Sequence, residues 1–136
     1  MGISRKTRFL FIAVLLSAVA SSAVLAAGFV KNGSVLQGEV VDKKGSRFAS
    51  TVRITSLNEL TGDFSGEVSW PSLNAVHRID GHVRGNTLVF KETAYIRQGQ
   101  AHLNCEYALV YDGQTLQGRW VEPGADAGTA NYSVQH

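Results

Sequence analysis

From Val35 onward, apolar and polar residues alternate in short runs separated by polar or glycine-containing turns. A period of two sends successive side chains to opposite faces of an extended strand, so each run predicts a strand with one dry face and one wet face. The longest such run is Leu60 to Trp70. Leu60, Gly62, Phe64, Gly66, Val68 and Trp70 fall on one side, and Thr61, Asp63, Ser65, Glu67 and Ser69 on the other. The clearest hairpin spans Cys105 to Val121, with Asp112-Gly113 as its turn, because both residues tolerate positive φ. A two-residue loop there sets Tyr111 against Gln114 and Glu106 against Arg119. Cys105, Tyr107, Leu109, Tyr111, Gln114, Leu116, Gly118 and Trp120 then share the inward face.

Further strands are predicted over Val35 to Asp42, Phe48 to Leu57, Ala75 to Arg84, Thr87 to Ile96 and Thr129 to Val134. Lys43 to Ser46, Pro71 to Asn74, Gly85-Asn86, Gln98 to Gln100 and Pro123 to Gly128 connect them, proline and glycine marking the breaks. The Gly85-Asn86 turn sets Ile79, Gly81 and Val83 on one face with Leu88 and Phe90, and places Asp80 against Lys91 outside. Short strands joined by tight turns predict an all-β fold, an eight-stranded antiparallel up-and-down meander. Closing it into a barrel removes its two open edges. Eight strands enclose an interior that side chains fill or that one small ligand occupies.

The form apolar-x-Gly-x-apolar recurs at Leu36 to Val40, Leu60 to Phe64, Ile79 to Val83 and Leu116 to Trp120, with each glycine inward. Glycine weakens a strand, so its repetition points to sharp coiling or to a neighbouring ring. Leu60-Thr61-Gly62-Asp63-Phe64, Leu116-Gln117-Gly118-Arg119-Trp120 and the Asp112-Gly113 hairpin resemble the meander repeats of calycin-type barrels, the lipocalin and avidin group. That resemblance implies a small exported barrel. Those families usually carry Gly-x-Trp in the first strand, whereas Gly118-Arg119-Trp120 stands in the penultimate one, so only the architecture carries over.

The first residues change the charge balance. Arg5, Lys6 and Arg8 precede an apolar, small-residue run from Phe9 to Ala27, which is the layout of a secretory signal peptide cut after Ala26 or Ala27. An uncleaved membrane anchor is the alternative. The domains expected are a signal peptide over 1–27, a flexible start over 28–34 and one barrel over 35–136, secreted or periplasmic. Without the leader's three basic residues, the formal +2 of the chain becomes about −1, with 11 acids against 10 bases. No clustered basic face remains for nucleic acid. One cysteine leaves an exported chain without an internal disulfide, so packing alone must hold it. The outward Arg53, Asp63, Glu67, Lys91, Glu106 and Arg119 favour a soluble barrel over a lipid-spanning one.

Candidate chemistry is sparse. Continuing the Gly85-Asn86 register puts Glu92 opposite Ile79, and His77 opposite Ala94, all on the apolar side. Both polar residues lie far from the turn, at a barrel mouth. One reading leaves them solvated there and bonded to each other. A second makes them a polar grip on a small apolar or amphipathic ligand, with Tyr107, Tyr111 and Trp120 as apolar walls. A third, an acid/base pair of an enzyme, finds no nucleophile, metal cluster or phosphate loop beside it. His77, His82, His102 and His136 have no spacing that makes a metal set, and no cofactor is expected. Trp70, Leu73 and Tyr95 are the candidate patch for a protein partner, should the barrel be filled and its surface active instead.

Overall fold

The computed structural model describes residues 27–135, so the predicted signal peptide lies outside the described residues apart from Ala27. The strands are β1 (Val35–Asp42), β2 (Arg47–Leu57), β3 (Asp63–Trp70), β4 (Ala75–Arg84), β5 (Thr87–Arg97), β6 (Glu106–Tyr111), β7 (Thr115–Glu122) and β8 (Asp126–Gln135). They form a closed barrel in chain order, each antiparallel to the next, and β8 pairs back on β1 from Val35–Gln135 to Asp42–Gly128. This is the all-β up-and-down meander that the alternation predicts.

Inward positions fill the barrel. Leu36, Ile54, Ile79, Leu88, Leu109 and Leu116 are fully buried, each contributing on the order of 1.5–3 kcal/mol by leaving water. Tyr132 on β8 reaches past Gly38 of β1, its hydroxyl 2.8 Å from Ser50 Oγ on β2. Of the two interiors open to eight strands, this one is occupied by side chains. The outward positions carry Arg53, Asp63, Lys91, Glu106 and Arg119, all exposed. No helix among the described residues is long and apolar enough to cross a membrane.

Several local expectations change. In the β6–β7 hairpin, Tyr111 faces Leu116 and Arg119 faces Ala108, whereas Glu106 lies between Val121 and Lys91. The cause is Asp112, whose Oδ1 accepts from Gln114 N at 2.9 Å and Thr115 N at 2.8 Å, making it the first residue of the turn. The slip is by two residues, so each side chain keeps its face. Leu60 belongs to no strand and is 81% exposed, because Asn58 gathers the backbone N–H groups of Leu60 and Thr61 into a turn that ends at Gly62, with φ +85°. The loop predicted over Pro123 to Gly128 is a tight turn, with Glu122 already paired to Asp126.

The residues before β1, expected as a flexible start, have defined partners. Phe29 stacks on Tyr111 with ring centroids 4.6 Å apart, Val30 is buried, and Gly33 N donates to Ile54 O at 2.8 Å. They cap the end of the barrel that also carries the β2–β3, β4–β5 and β6–β7 turns. The opposite end, with the β1–β2, β3–β4, β5–β6 and β7–β8 connections, is where a cleft opens.

Candidate functional site

The cleft and the polar network beneath it arise from inward positions of all eight strands. In β5 a bulge at Thr93 breaks the register, so Ile79 faces Glu92 as expected but His77 faces Tyr95 rather than Ala94. His77 and Glu92 thus become diagonal neighbours on the inner face. His77 Nδ1 and Glu92 Oε1 share a hydrogen bond of 3.0 Å, and Tyr107 Oη donates to Glu92 Oε2 at 3.0 Å. Glu92 is anchored by its own N–H, which donates to Cys105 O at 3.0 Å.

This network is not solvated. His77 is 0% and Glu92 3% exposed, so the expectation of a wet rim is overturned. What covers them was not visible in strand register: the His77 ring lies edge-on between Trp70, at 5.2 Å, and Tyr95, at 5.0 Å. The loop between β5 and β6 is fastened over this end by Gln100 N donating to Leu73 O at 2.8 Å and Leu103 N donating to Tyr95 Oη at 3.2 Å. His77 Nε2 is buried without a hydrogen-bond partner among the described residues.

Burial holds the Glu92 carboxyl above the usual glutamate range, outweighing the bonds from His77 and Tyr107 that favour its charged form. The Tyr107 hydroxyl is pushed upward, by burial first and then by Glu92, so it remains a donor. A carboxyl with a raised folded pKa binds its proton more tightly folded than unfolded. Its contribution is therefore complete below the ordinary pKa, ~4.3, and is lost as pH rises through the folded value. Glu92→Gln keeps a neutral side chain at every pH. The stability of the natural protein relative to Glu92→Gln should accordingly fall from pH ~4.3 upward, read from urea midpoints of both proteins. A difference that stays flat or grows with pH contradicts the assignment.

Above the network is a cleft of about 230 Å³, bounded by Val40, Phe48, Trp70, Leu73, Ala101, Cys105, Tyr107 and Trp120, with Asp42, Gln100, His102, Glu122 and Asp126 as its polar members. Trp120 is fixed in its wall by indole Nε1 donating to Val41 O at 3.1 Å. That bond crosses β8 at Gly128, which lies between Trp120 and Asp42 in the sheet and has no side chain to obstruct it. The larger concavity, about 1200 Å³ over Gly81, Ala108 and Val121, is an open saddle on the outside of β4–β7 and encloses nothing.

The structure thus brings Tyr107 and Trp120 together at the cleft, with Glu92 and His77 enclosed next to them. It places Tyr111 at the other end, stacked on Phe29. Of the expected partner patch, Trp70 and Leu73 are cleft walls, while Tyr95 is 43% exposed beside it. Sequence reasoning missed Asp42, Glu122 and Asp126. The signal was present: turns of a meander alternate between ends, so residues flanking the first and seventh turns meet. Among the described residues no group of three or more His, Cys, Asp or Glu could hold a metal ion. The chain matches no family model, and searches of curated proteins and of solved structures each return no match.

Proposed function

We propose that this chain is an exported, non-enzymatic binding module that holds one small amphipathic molecule at the mouth of its barrel. The observation that carries the reading is the cleft of about 230 Å³ at one end of an otherwise filled barrel. A cavity of ~150 Å³ already accepts a benzene ring, so the space suits a ring with a short arm. Its walls are rigid: Trp120 is tethered through its indole, and Phe90 and Tyr107 stack with centroids 4.4 Å apart. Apolar walls with a few placed polar groups are the ordinary composition of a ligand site. A calycin-like ancestry is compatible with this arrangement, since ligands of such barrels enter by one mouth.

A second reading rests on a different observation. The centre is filled, and Tyr95 and Ile96 are exposed side by side beyond the β5 bulge, at 43% and 52%. Such a patch suits a protein partner, with the module acting as an adaptor or inhibitor. Native mass spectrometry of the protein isolated from its own host separates the two. A mass increment of a small molecule, lost on Trp70→Ala, supports the cleft. A protein complex lost on Tyr95→Ala supports the patch, and a bare mass in every preparation counts against both.

A further inference from the structure

The ends of β7, β8 and β1 place carboxylates where a barrel mouth ordinarily places neutral side chains. Glu122 continues the inward row of Leu116 and Trp120, Asp126 the row of Gly128 and Ala130, and Asp42 the row of Leu36 and Val40. All three bound the cleft and are partly buried. Glu122 and Asp126 are directly paired across β7–β8, and like charges in that position repel. Asp42 adds a third negative group from β1, whose Asp42 pairs with Gly128 two residues along.

Backbone N–H groups engage two of them, Lys44 N and Ser46 N each donating to Asp42 Oδ1 at 2.9 Å and Ala127 N to Asp126 Oδ1 at 2.8 Å, but no side chain of opposite charge does. None of the three makes an ion pair with Lys, Arg or His among the described residues. Lys43, which follows Asp42, donates to Ala125 O at 3.3 Å on the outer turn, and His102 is the one basic side chain bounding the cleft. The negative field reaches the interior: the Cys105 thiol is pushed up by burial first, and then by Glu92, Glu122 and Asp126. The same cleft is bounded by Trp70, Tyr107 and Trp120, and aromatic ring faces attract a positive charge.

We infer that the ligand of this cleft is a small organic cation, a flat apolar body bearing one ammonium group, with the body between the aromatic walls and the ammonium beside Glu122 and Asp126. This rests on the cleft being a ligand site and adds the class of ligand. A bare metal ion is disfavoured by the same geometry, since three rings and a space of about 230 Å³ suit an organic body. Burying an ammonium beside carboxylates and ring faces also relieves the Glu122–Asp126 repulsion, which an uncharged ligand would leave in place.

The test uses benzylammonium, benzyl alcohol and benzoate, near-isosteric probes of different charge, added to the leaderless chain at pH 7. Binding is read from tryptophan fluorescence and from amide shifts of Trp70, Cys105 and Trp120. Benzylammonium is expected to bind at least ten-fold more tightly than benzyl alcohol, and benzoate more weakly than either. The preference should shrink in ~1 M salt, where charges are screened within ~3 Å. It should also fall below three-fold in Glu122→Gln/Asp126→Asn, whose fold is checked by near-UV circular dichroism. Equal or tighter binding of benzyl alcohol or benzoate in the cleft overturns the cationic class and leaves the cleft as a ligand site. Calcium chloride shifting the same amides in place of benzylammonium overturns it in favour of a metal. If none of the probes shifts them, both the class and the site are wrong.

Discussion

Glu92→Ala is expected to cost the fold about 3–5 kcal/mol, measured by urea unfolding at neutral pH, the usual consequence of deleting one member of an enclosed polar pair. The loss has identifiable parts. Glu92 accepts from Tyr107 Oη and is bonded to His77 Nδ1, both buried, so its removal strands two polar atoms in addition to His77 Nε2, which already lacks a partner. Each stranded group costs about 1–3 kcal/mol, and the vacated side chain leaves a void. Glu92→Gln should cost much less, because an amide can still accept from Tyr107 and meet His77. The combined variant His77→Leu/Glu92→Met/Tyr107→Phe should recover most of the stability, since a well-filled apolar replacement of a buried polar cluster is often neutral. A Glu92→Ala protein within 1 kcal/mol of the natural one would show that the network does not support the fold.

Gly128→Ala is expected to destabilise by about 3 kcal/mol, at the upper end of what a single added methyl group does. A Cβ there would sit 1.7 Å from Val41 O and 2.7 Å from Trp120 Nε1. The first contact is with backbone, so β8 and β1 must separate where the barrel closes. The second obstructs the indole bond to Val41 O, so the near-UV signal of Trp120 should change with the stability. Gly28→Ala is the control. A Cβ there meets nothing within 4 Å, and substitutions of that kind stay within ~0.5 kcal/mol. Equal effects of the two substitutions would show that close approach at the seam is unimportant.

Much of this fold was legible because burial constrains only which face a residue takes. In the β6–β7 hairpin the expected pairs are wrong by two positions, yet Tyr107, Leu109, Leu116 and Trp120 are buried as predicted. The shift came from a carboxylate bonding its own turn, chemistry that an Asp-Gly pattern alone does not resolve. Glu92 and His77 were readable as inward for the same reason. Their enclosure was not, because it depends on a loop whose path is set by Gly99 at φ +57°, where a Cβ would lie 2.3 Å from the carbonyl oxygens of Leu73 and Asn74. Tyr111 was grouped with Tyr107 because they share a face. Four residues of strand separate them by roughly 13 Å, which carries Tyr111 to the opposite end. The acids of the cleft carry no signal within a single strand, since their meaning lies in three strand ends converging.

Val35 and Gln135 are partners in the β1–β8 ladder, at the end that Phe29 and Val30 cap. The start of β1 and the end of β8 are therefore neighbours at the pole farthest from Asp42, Glu122 and Asp126. A resin, a fluorescent fusion or a lipid surface joined through either terminus would hold the barrel by its base, mouth outward and free for traffic. Joining the two termini and reopening the chain at Gly85-Asn86 would keep every rung of the ladder and leave that orientation unchanged.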